Sequence, residues 1–432
     1  MFMPNIATGS ALLLSTLLFA PHLLGESALS AEKLQTGTGQ SPTTALFDEQ
    51  DLGPEAEFDQ SRLEATFAAS HYTERILEIE TREGPFSPFL SEHLVGLGMA
   101  YSKLGQEEEA LQVYQRALLI NRSNRGLHNL GQQPILERII ETHETLGRHE
   151  ALNNNYNYLL WLYQRNYDRD DPTLLPTLVR VAAWKLKAFA REPTENAIDH
   201  LFDAEKLFNQ SLEIIQANPQ MEPLVARDYL YAIAKANFGV GFFASSYKIG
   251  RDALQANIDL HQVNKDLSKT SMAEAYALLG DWEMRFNKRG SAAKNYRSAY
   301  QLLSQGEQPN LEALQRLFGE PRSLVRLNVP EAAGQDPSTV SANREGSDSN
   351  SEFRLAQIEQ LVTEDTDFVL AEFDVSSSGR VSDLDILETN PKDNVTFRRN
   401  VRQMILNVPF RPRLENGEPI DTDDFVMLYR FE

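Results

Sequence analysis

The chain of 432 residues carries 41 basic and 62 acidic side chains, a formal net charge of −21, and no cysteine. That balance excludes an ordinary nucleic-acid-binding face, which needs clustered Lys and Arg, and it speaks against docking on an anionic membrane surface. The missing cysteines exclude disulfides, thiolate metal sites, cysteine nucleophiles and a lipid-modified N-terminal cysteine. With 41% hydrophobic and 9% aromatic residues, a chain of this length can build two or three domains with real cores.

Residues 1–31 read as a secretory signal peptide: an apolar run from Ala11 to Leu24, then Ala28, Ser30 and Ala31 as small residues for cleavage. Pro21 and His22 interrupt the run, which is too short to span a bilayer, so no integral membrane segment is expected in the mature chain. Residues 32–56 are polar and rich in Gly, Thr and Pro, and read as a disordered lead-in. Helical spacing begins at Phe58. Leu63, Phe67, Tyr72, Ile76 and Ile79 predict a helix closed by Gly84 and Pro85.

Leu94 to Ala117 reads LVGLGMAYSKLGQEEEALQVYQRA. Leu94, Leu97 and Tyr101 fall at helical spacing, Gly105 breaks the pattern, and Ala110, Tyr114 and Ala117 resume it. Gly98, Ala110 and Ala117 are small where two helices must approach, so the stretch predicts an antiparallel helix pair turning at Gly105. A looser pair from Ile135 to Trp161 repeats the arrangement with Leu136, Ile139, Gly147, Leu152 and Tyr156. Residues 174–190 with 197–217, where Ala204 and Phe208 take the small and aromatic places, and 223–238 with 242–262 read as further pairs. Tyr276, Leu279, Gly280, Ala292, Tyr296 and Ala299 restore the first pattern. Six or seven pairs are expected between Phe58 and Leu303, stacked because one pair cannot bury its apolar face alone.

This arrangement resembles the tetratricopeptide repeat (TPR). The family's places are filled here by Leu94, Leu97, Gly98, Tyr101, Gly105, Ala110, Tyr114 and Ala117, with Arg122 where the closing proline stands. The resemblance implies an α-solenoid over residues 57–330 with a groove lined by the first helix of each pair. Its groove positions map to Glu92, Val95, Met99, Ser102 and Lys103 on the first repeat, and to Glu274, Ala277, Asp281, Met284 and Arg285 on the last. Some family members clamp a carboxylate with Lys and Asn; Val95 and Met99 occupy such positions here, which argues against that clamp.

Residues 331–351, EAAGQDPSTVSANREGSDSNS, lack any period and read as a flexible, acidic linker, with a short helix expected at Phe353–Val362. Val369, Ala371, Phe373 and Val375 then alternate as in a strand, Ser376–Gly379 is a turn, and Arg380–Leu387 is a second strand. Val395, Phe397, Val401, Ile405 and Val408 return to helical spacing, ended by Pro409. Asn416-Gly417 is a tight turn, and Phe425 to Phe431 a third strand. Order and wording resemble the C-terminal domain of TonB, through Val369, Phe373, Val375, Gly379 and Val381, the Pro409-Phe410-Arg411-Pro412 segment, Asn416-Gly417 and Pro419, and the aromatic last strand. The chain departs from that family in showing no proline-rich spacer and in carrying 9 basic and 16 acidic residues from Arg354 to Glu432, a net of −7. The resemblance implies that the last strand lies near a sheet edge able to pair with an extended peptide or to dimerise, with Val426, Leu428 and Arg430 pointing outward to set selectivity.

The expected fold is therefore α+β and multidomain: an α-solenoid of TPR-like helix pairs followed by a small strand-strand-helix-strand TonB-like domain at 352–432. No catalytic constellation stands out. None of the eight histidines forms HExxH. His143-Glu144 and His149-Glu150 read as solvated helix faces. Gly239-Val-Gly241 lies between helices rather than after a strand, and so does not read as a dinucleotide loop. Asp168, Asp170 and Asp171 lack the glycine and distal glutamate of a calcium loop. No cofactor and no metal are expected. The functional expectation is a non-enzymatic periplasmic adaptor of a Gram-negative bacterium that binds protein or peptide partners, envelope or outer-membrane transport proteins among them. The alternative is an accessory to TonB-dependent outer-membrane transport, and the minor alternative an enzyme within the helical array.

Overall fold

The computed structural model describes residues 54–191, 197–239, 244–264, 267–305, 308–325, 339–341, 367–390 and 394–431. The expected signal peptide, most of the lead-in and the helix expected at Phe353–Val362 lie outside these residues. The described chain is mostly helical, with a few small antiparallel strands.

Helix α1 (Pro54–Glu83) starts at Pro54 rather than Phe58, so the end of the expected lead-in is helical. It ends where Gly84 takes φ +93°, a left-handed conformation that costs glycine nothing. Its buried stripe is Ala65, Ile76 and Ile79; Leu63 and Phe67, expected on that stripe, are 59% and 74% exposed. Among the described residues five helix pairs follow, against the six or seven expected: α2 (Leu90–Lys103) with α3 (Glu107–Arg125), α4 (Gln133–Thr145) with α5 (His149–Asn166), α6 (Leu175–Arg191) with α7 (Ala197–Ala217), α8 (Pro223–Phe238) with α9 (Ala244–Val263), and α10 (Lys269–Arg285) with α11 (Arg289–Ser304). Helix α12 (Leu311–Phe318) packs on the last pair.

Three of the inter-helix turns are built identically. At Gly105, Gly147 and Asn287 the chain turns left-handed, with φ +75°, +66° and +60°. The next N–H then reaches back to the helix: Gln106 to Tyr101 O (2.9 Å), Arg148 to His143 O (2.9 Å) and Lys288 to Glu283 O (2.7 Å). This is the Schellman closure, which satisfies carbonyls left over at a helix end. The third turn has no glycine; asparagine is the other residue that visits this region readily.

One apolar cluster runs from Ile76 of α1 to Trp282 of α10, and a second joins α10, α11 and α12. Beyond α12 come β1 (Arg322–Ser323), β2 (Thr339–Ser341), β3 (Asp367–Val375), β4 (Val381–Asn390), α13 (Val395–Asn407), β5 (Phe410–Arg411), β6 (Arg413–Glu415), β7 (Glu418–Ile420) and β8 (Thr422–Phe431). Val369, Ala371, Phe373 and Val375 share a buried face with Val401 and Ile405 of α13, as the alternation predicts. Asn416 and Gly417, at φ +52° and +83°, make the two-residue hairpin turn between β6 and β7. The main sheet is antiparallel, in the order β2-β8-β3-β4. It differs from expectation at β2, a strand inside the stretch read as a flexible linker, which pairs with β8.

Candidate functional site

The groove positions of the first pair lie on one face of α2, at spacings of three and four residues. Glu92, Met99 and Lys103 are exposed, Met99 to 39%; Val95 and Ser102 are half-buried, and Ser102 donates to Glu107 Oε2 at 3.1 Å. The far side of the helix is fixed by a close contact. A Cβ on Gly98 would lie 2.3 Å from the Tyr114 ring of α3, so only glycine lets the helices meet there. A second contact, absent from the sequence reading, sets Tyr72 of α1 on Gly96 of α2.

The last pair uses the same lock, with Gly280 2.3 Å, at an added Cβ, from the Tyr296 ring. Its other face does not form an open groove. Asp281 is 2% exposed and Met284 4%, and Ala277 is fully buried. Glu274 is paired with Arg316 of α12, and the half-buried Arg285 guanidinium sits 5.7 Å from the centre of the Phe238 ring, its pKa pushed down by burial. The C-terminal part of the chain covers this face: Leu414 packs in the cluster that holds Ala277 and Met284, and Arg411 meets Asp281.

Arg411 of β5 carries that contact. It is 1% exposed and meets Asp281 in a two-pronged pair, Nε to Oδ1 at 2.8 Å and Nη2 to Oδ2 at 2.5 Å. Its third nitrogen donates to Leu317 O at 2.9 Å. The Tyr296 hydroxyl donates to Asp281 Oδ1 at 3.0 Å, and the guanidinium lies 5.8 Å and 5.7 Å from the Tyr296 and Phe318 ring centres. Burial opposes the guanidinium charge, but Asp281 outweighs it and holds the Arg411 pKa above its usual value. Burial first, and Asp281 second, push the Tyr296 phenol well above the ordinary tyrosine value.

Around this pair, β1 and β5 are hydrogen-bonded, Leu324 N donates to Pro409 O at 3.0 Å, and Leu414 enters the α10–α12 core. Arg297 of α11 pairs with Glu418 at 2.9 Å. Gly379 closes the other side: its carbonyl accepts the Phe410 N–H at 2.9 Å, and a Cβ there would sit 2.1 Å from Phe410 O. The Pro409–Leu414 segment is thus a clamp between the helices and the sheet.

On β8, Val426 and Leu428 are 4% and 1% exposed and pack with Phe368 and Leu370; Arg430 is half-buried. They do not point outward as expected, because both faces of this sheet bury apolar side chains. Nor is β8 an edge throughout: β3 lies on one side, and β2 meets Met427–Tyr429 on the other.

The histidines separate by environment. His149 is exposed as expected, but His143 is 5% exposed and its Nδ1 has no partner; burial first, then Arg148, lowers its pKa. His261 was not singled out in the sequence. Its Nδ1 lies 2.7 Å from Asn257 O and its Nε2 2.8 Å from Ser271 Oγ. A carbonyl only accepts, so Nδ1 carries the proton and Nε2 accepts from the serine. The neutral ring ties α9 to α10, and burial lowers its pKa. Asp171 accepts Thr173 N at 2.8 Å as the cap of a short turn. A shallow cavity of about 500 Å³ between α5 and α7 is lined by Tyr167, Arg169, Lys206, Gln210 and Glu213, with Arg169 paired to Glu213 at 3.0 Å. Among the described residues, no three His, Cys, Asp or Glu side chains converge on a metal site, and no helix is long and apolar enough to cross a membrane.

No protein-family model matches the chain, and no curated protein matches it in sequence. Among solved structures, it is similar to BtubC (BKLC) from P. vanneervenii at 12% identity, over 57% of this chain and 90% of that one, with a TM-score of 0.38. It is similar to the structure of Naa15/Naa10 bound to HypK-THB at 13% identity, over 61% of this chain and half of that one, with a TM-score of 0.14. Both likenesses are too distant to bring either protein's partners to this chain.

Proposed function

We propose that the protein is a non-enzymatic, exported adaptor of a bacterial envelope: a TPR-like α-solenoid that docks a protein or peptide, closed at its C-terminal end by a TonB-like sheet. The observation that carries this reading is the recurrence of one packing unit at both ends of the array. Gly98 on Tyr114 and Gly280 on Tyr296 make the same small-on-aromatic lock, and Gly105 and Asn287 the same turn. Repeated pairs offer extended surface rather than a pocket. At the last pair that surface is covered by the clamp. At the first pair, Glu92, Met99 and Lys103 stay exposed beside half-buried Val95 and Ser102, so the docking face belongs to α2.

Export rests on the apolar run Ala11–Leu24. The reading as an accessory of TonB-dependent transport is the weaker of the two, because Val426 and Leu428 are buried and unable to select a peptide. A pull-down from envelope extracts with the full chain tests the adaptor reading. The expected result is a discrete protein partner that the double variant Met99→Asp/Lys103→Glu no longer retains. Recovery of the same proteins with wild type and variant, or of none, contradicts it.

A further inference from the structure

The negative charge of the chain is spread unevenly. Residues 110–136 and 151–167 contain no Asp or Glu, in a chain that has 62 acidic side chains. The first stretch runs from α3 through the following turn into α4, and the second covers most of α5. They therefore bring together the second helices of two successive pairs, away from the α2 face. Where they meet, four planar groups stack. The Arg122 guanidinium lies 4.5 Å from the centre of the Tyr158 ring. Tyr158 stacks on Trp161, with ring centres 5.5 Å and planes 26° apart, and Trp161 meets His128 at 5.1 Å.

Both ends of the stack are held. Gln132 is fully buried, and its Oε1 accepts from Arg122 Nε and from the Tyr158 hydroxyl, each at 2.8 Å. Asn166 Nδ2 donates to His128 O at 2.9 Å. Rings fixed in this way lose little freedom when a ligand lands on them. Yet Trp161 is 42% exposed and Leu127, in the same turn as His128, 57%, whereas Trp184 and Trp282 are buried. Arg125 and Arg165 flank the rings, exposed and without an ion pair among the described residues. Arg125 Nη1 lies 3.4 Å from where a Cβ on Gly131 of the turn would stand, and Arg165 follows Trp161 by one helical turn. Trp, Tyr and Arg are the side chains that dominate binding hot spots.

We propose that this stack is a docking site for an acidic peptide, which lays an apolar side chain on Trp161 and Leu127 and sets its carboxylates against Arg125 and Arg165. Charge decides between the possible occupants. Screening cuts charge interactions off over about 8 Å at physiological salt, so a short acidic segment senses the arginines and little of the remaining chain. A nucleic acid or an anionic membrane would extend past the patch onto a surface of net charge −21 that repels it. The site goes beyond the α2 reading, with different residues and a different ligand chemistry, and it stands or falls independently of that face.

The test uses the full chain and, as the probe, a short fluorescein-labelled peptide in which Asp and Glu alternate with Leu and Phe. Its counterpart carries Asn and Gln in place of the acids. The acidic probe is expected to bind the wild type, and Arg125→Glu/Arg165→Glu to weaken it at least about tenfold. Both arginines are exposed, so the melting temperature of that variant should stay at the wild-type value. The unlabelled acidic peptide should shift the tryptophan emission to the blue, a change lost in Trp161→Phe, since the other two tryptophans are buried. Met99→Asp/Lys103→Glu, on the α2 face, should bind the probe as the wild type does. No binding of the acidic probe up to about 1 mM overturns the proposal. So does equal binding of the uncharged counterpart, unchanged affinity in the arginine variant, or loss of binding in the α2 variant. Binding of a single-stranded oligonucleotide or of phosphatidylglycerol vesicles as tight as that of the acidic probe also overturns it, in favour of a nucleic acid or a membrane.

Discussion

Arg411→Ala is the sharpest perturbation of the clamp. It leaves the Asp281 carboxylate, 2% exposed, with the Tyr296 hydroxyl as its remaining hydrogen-bond donor, and it strips Leu317 O of the Arg411 donor. Removing one member of a buried ion pair costs about 3–5 kcal/mol, because the other charge stays in a medium that cannot solvate it. The control removes the polar set together: Asp281→Leu/Tyr296→Phe/Arg411→Met leaves no buried charge, only the Leu317 carbonyl. It should end within about 2 kcal/mol of the wild type, well above Arg411→Ala. Urea unfolding followed by tryptophan fluorescence reads the effect, since Trp282 is fully buried one residue from Asp281. The reasoning is refuted if Arg411→Ala costs less than about 1 kcal/mol or if the triple variant is the less stable of the two.

Acid should weaken the fold before its carboxylates protonate. His143 and His261 are held below the ordinary imidazole value of 6.5 by burial, so the unfolded chain takes up protons at a pH where the folded chain does not. Stability is complete above pH 6.5 and declines as pH falls below it; melting temperatures from pH 7.5 to 5.5 that stay level contradict this, and His261→Asn should flatten part of the slope. Gly98→Ala places a methyl 2.3 Å from the Tyr114 ring and should cost about 1–3 kcal/mol in thermal unfolding, whereas Gly290→Ala, with open space around it, should cost far less. Asn287→Ala should lose about 1 kcal/mol at the third turn and Asn287→Gly should not, since φ is +60° there.

The helix pairs were legible because their signals are local. Gly105, Gly147 and the Tyr114 and Tyr296 positions lie within a few turns of what they touch. Asp281 was misplaced for the opposite reason. Helical spacing gives its face on α10, but the residue that covers that face, Arg411, lies 130 positions downstream. Leu63 and Phe67 fit a helical period, yet period alone does not say which of two apolar stripes a neighbour will cover. On β8, the unbroken run Phe425–Val426–Met427–Leu428–Tyr429 was itself a signal of burial on both faces, and reading it as alternation turned Val426 and Leu428 outward. Nothing in Thr339–Ser341 marks it as a strand, because its pairing is a property of β8. The Pro409-Phe410-Arg411-Pro412 segment stood out in the sequence, and the structure buries its Arg411.

The adaptor account rests most directly on the exposed face of α2. A photo-crosslinking amino acid at position 99 of the full chain in living cells, with the exposed Phe202 position as the control, measures whether that face meets a partner. The account predicts a discrete protein adduct from position 99 that position 202 does not give; no adduct, or the same adducts from both positions, contradicts it.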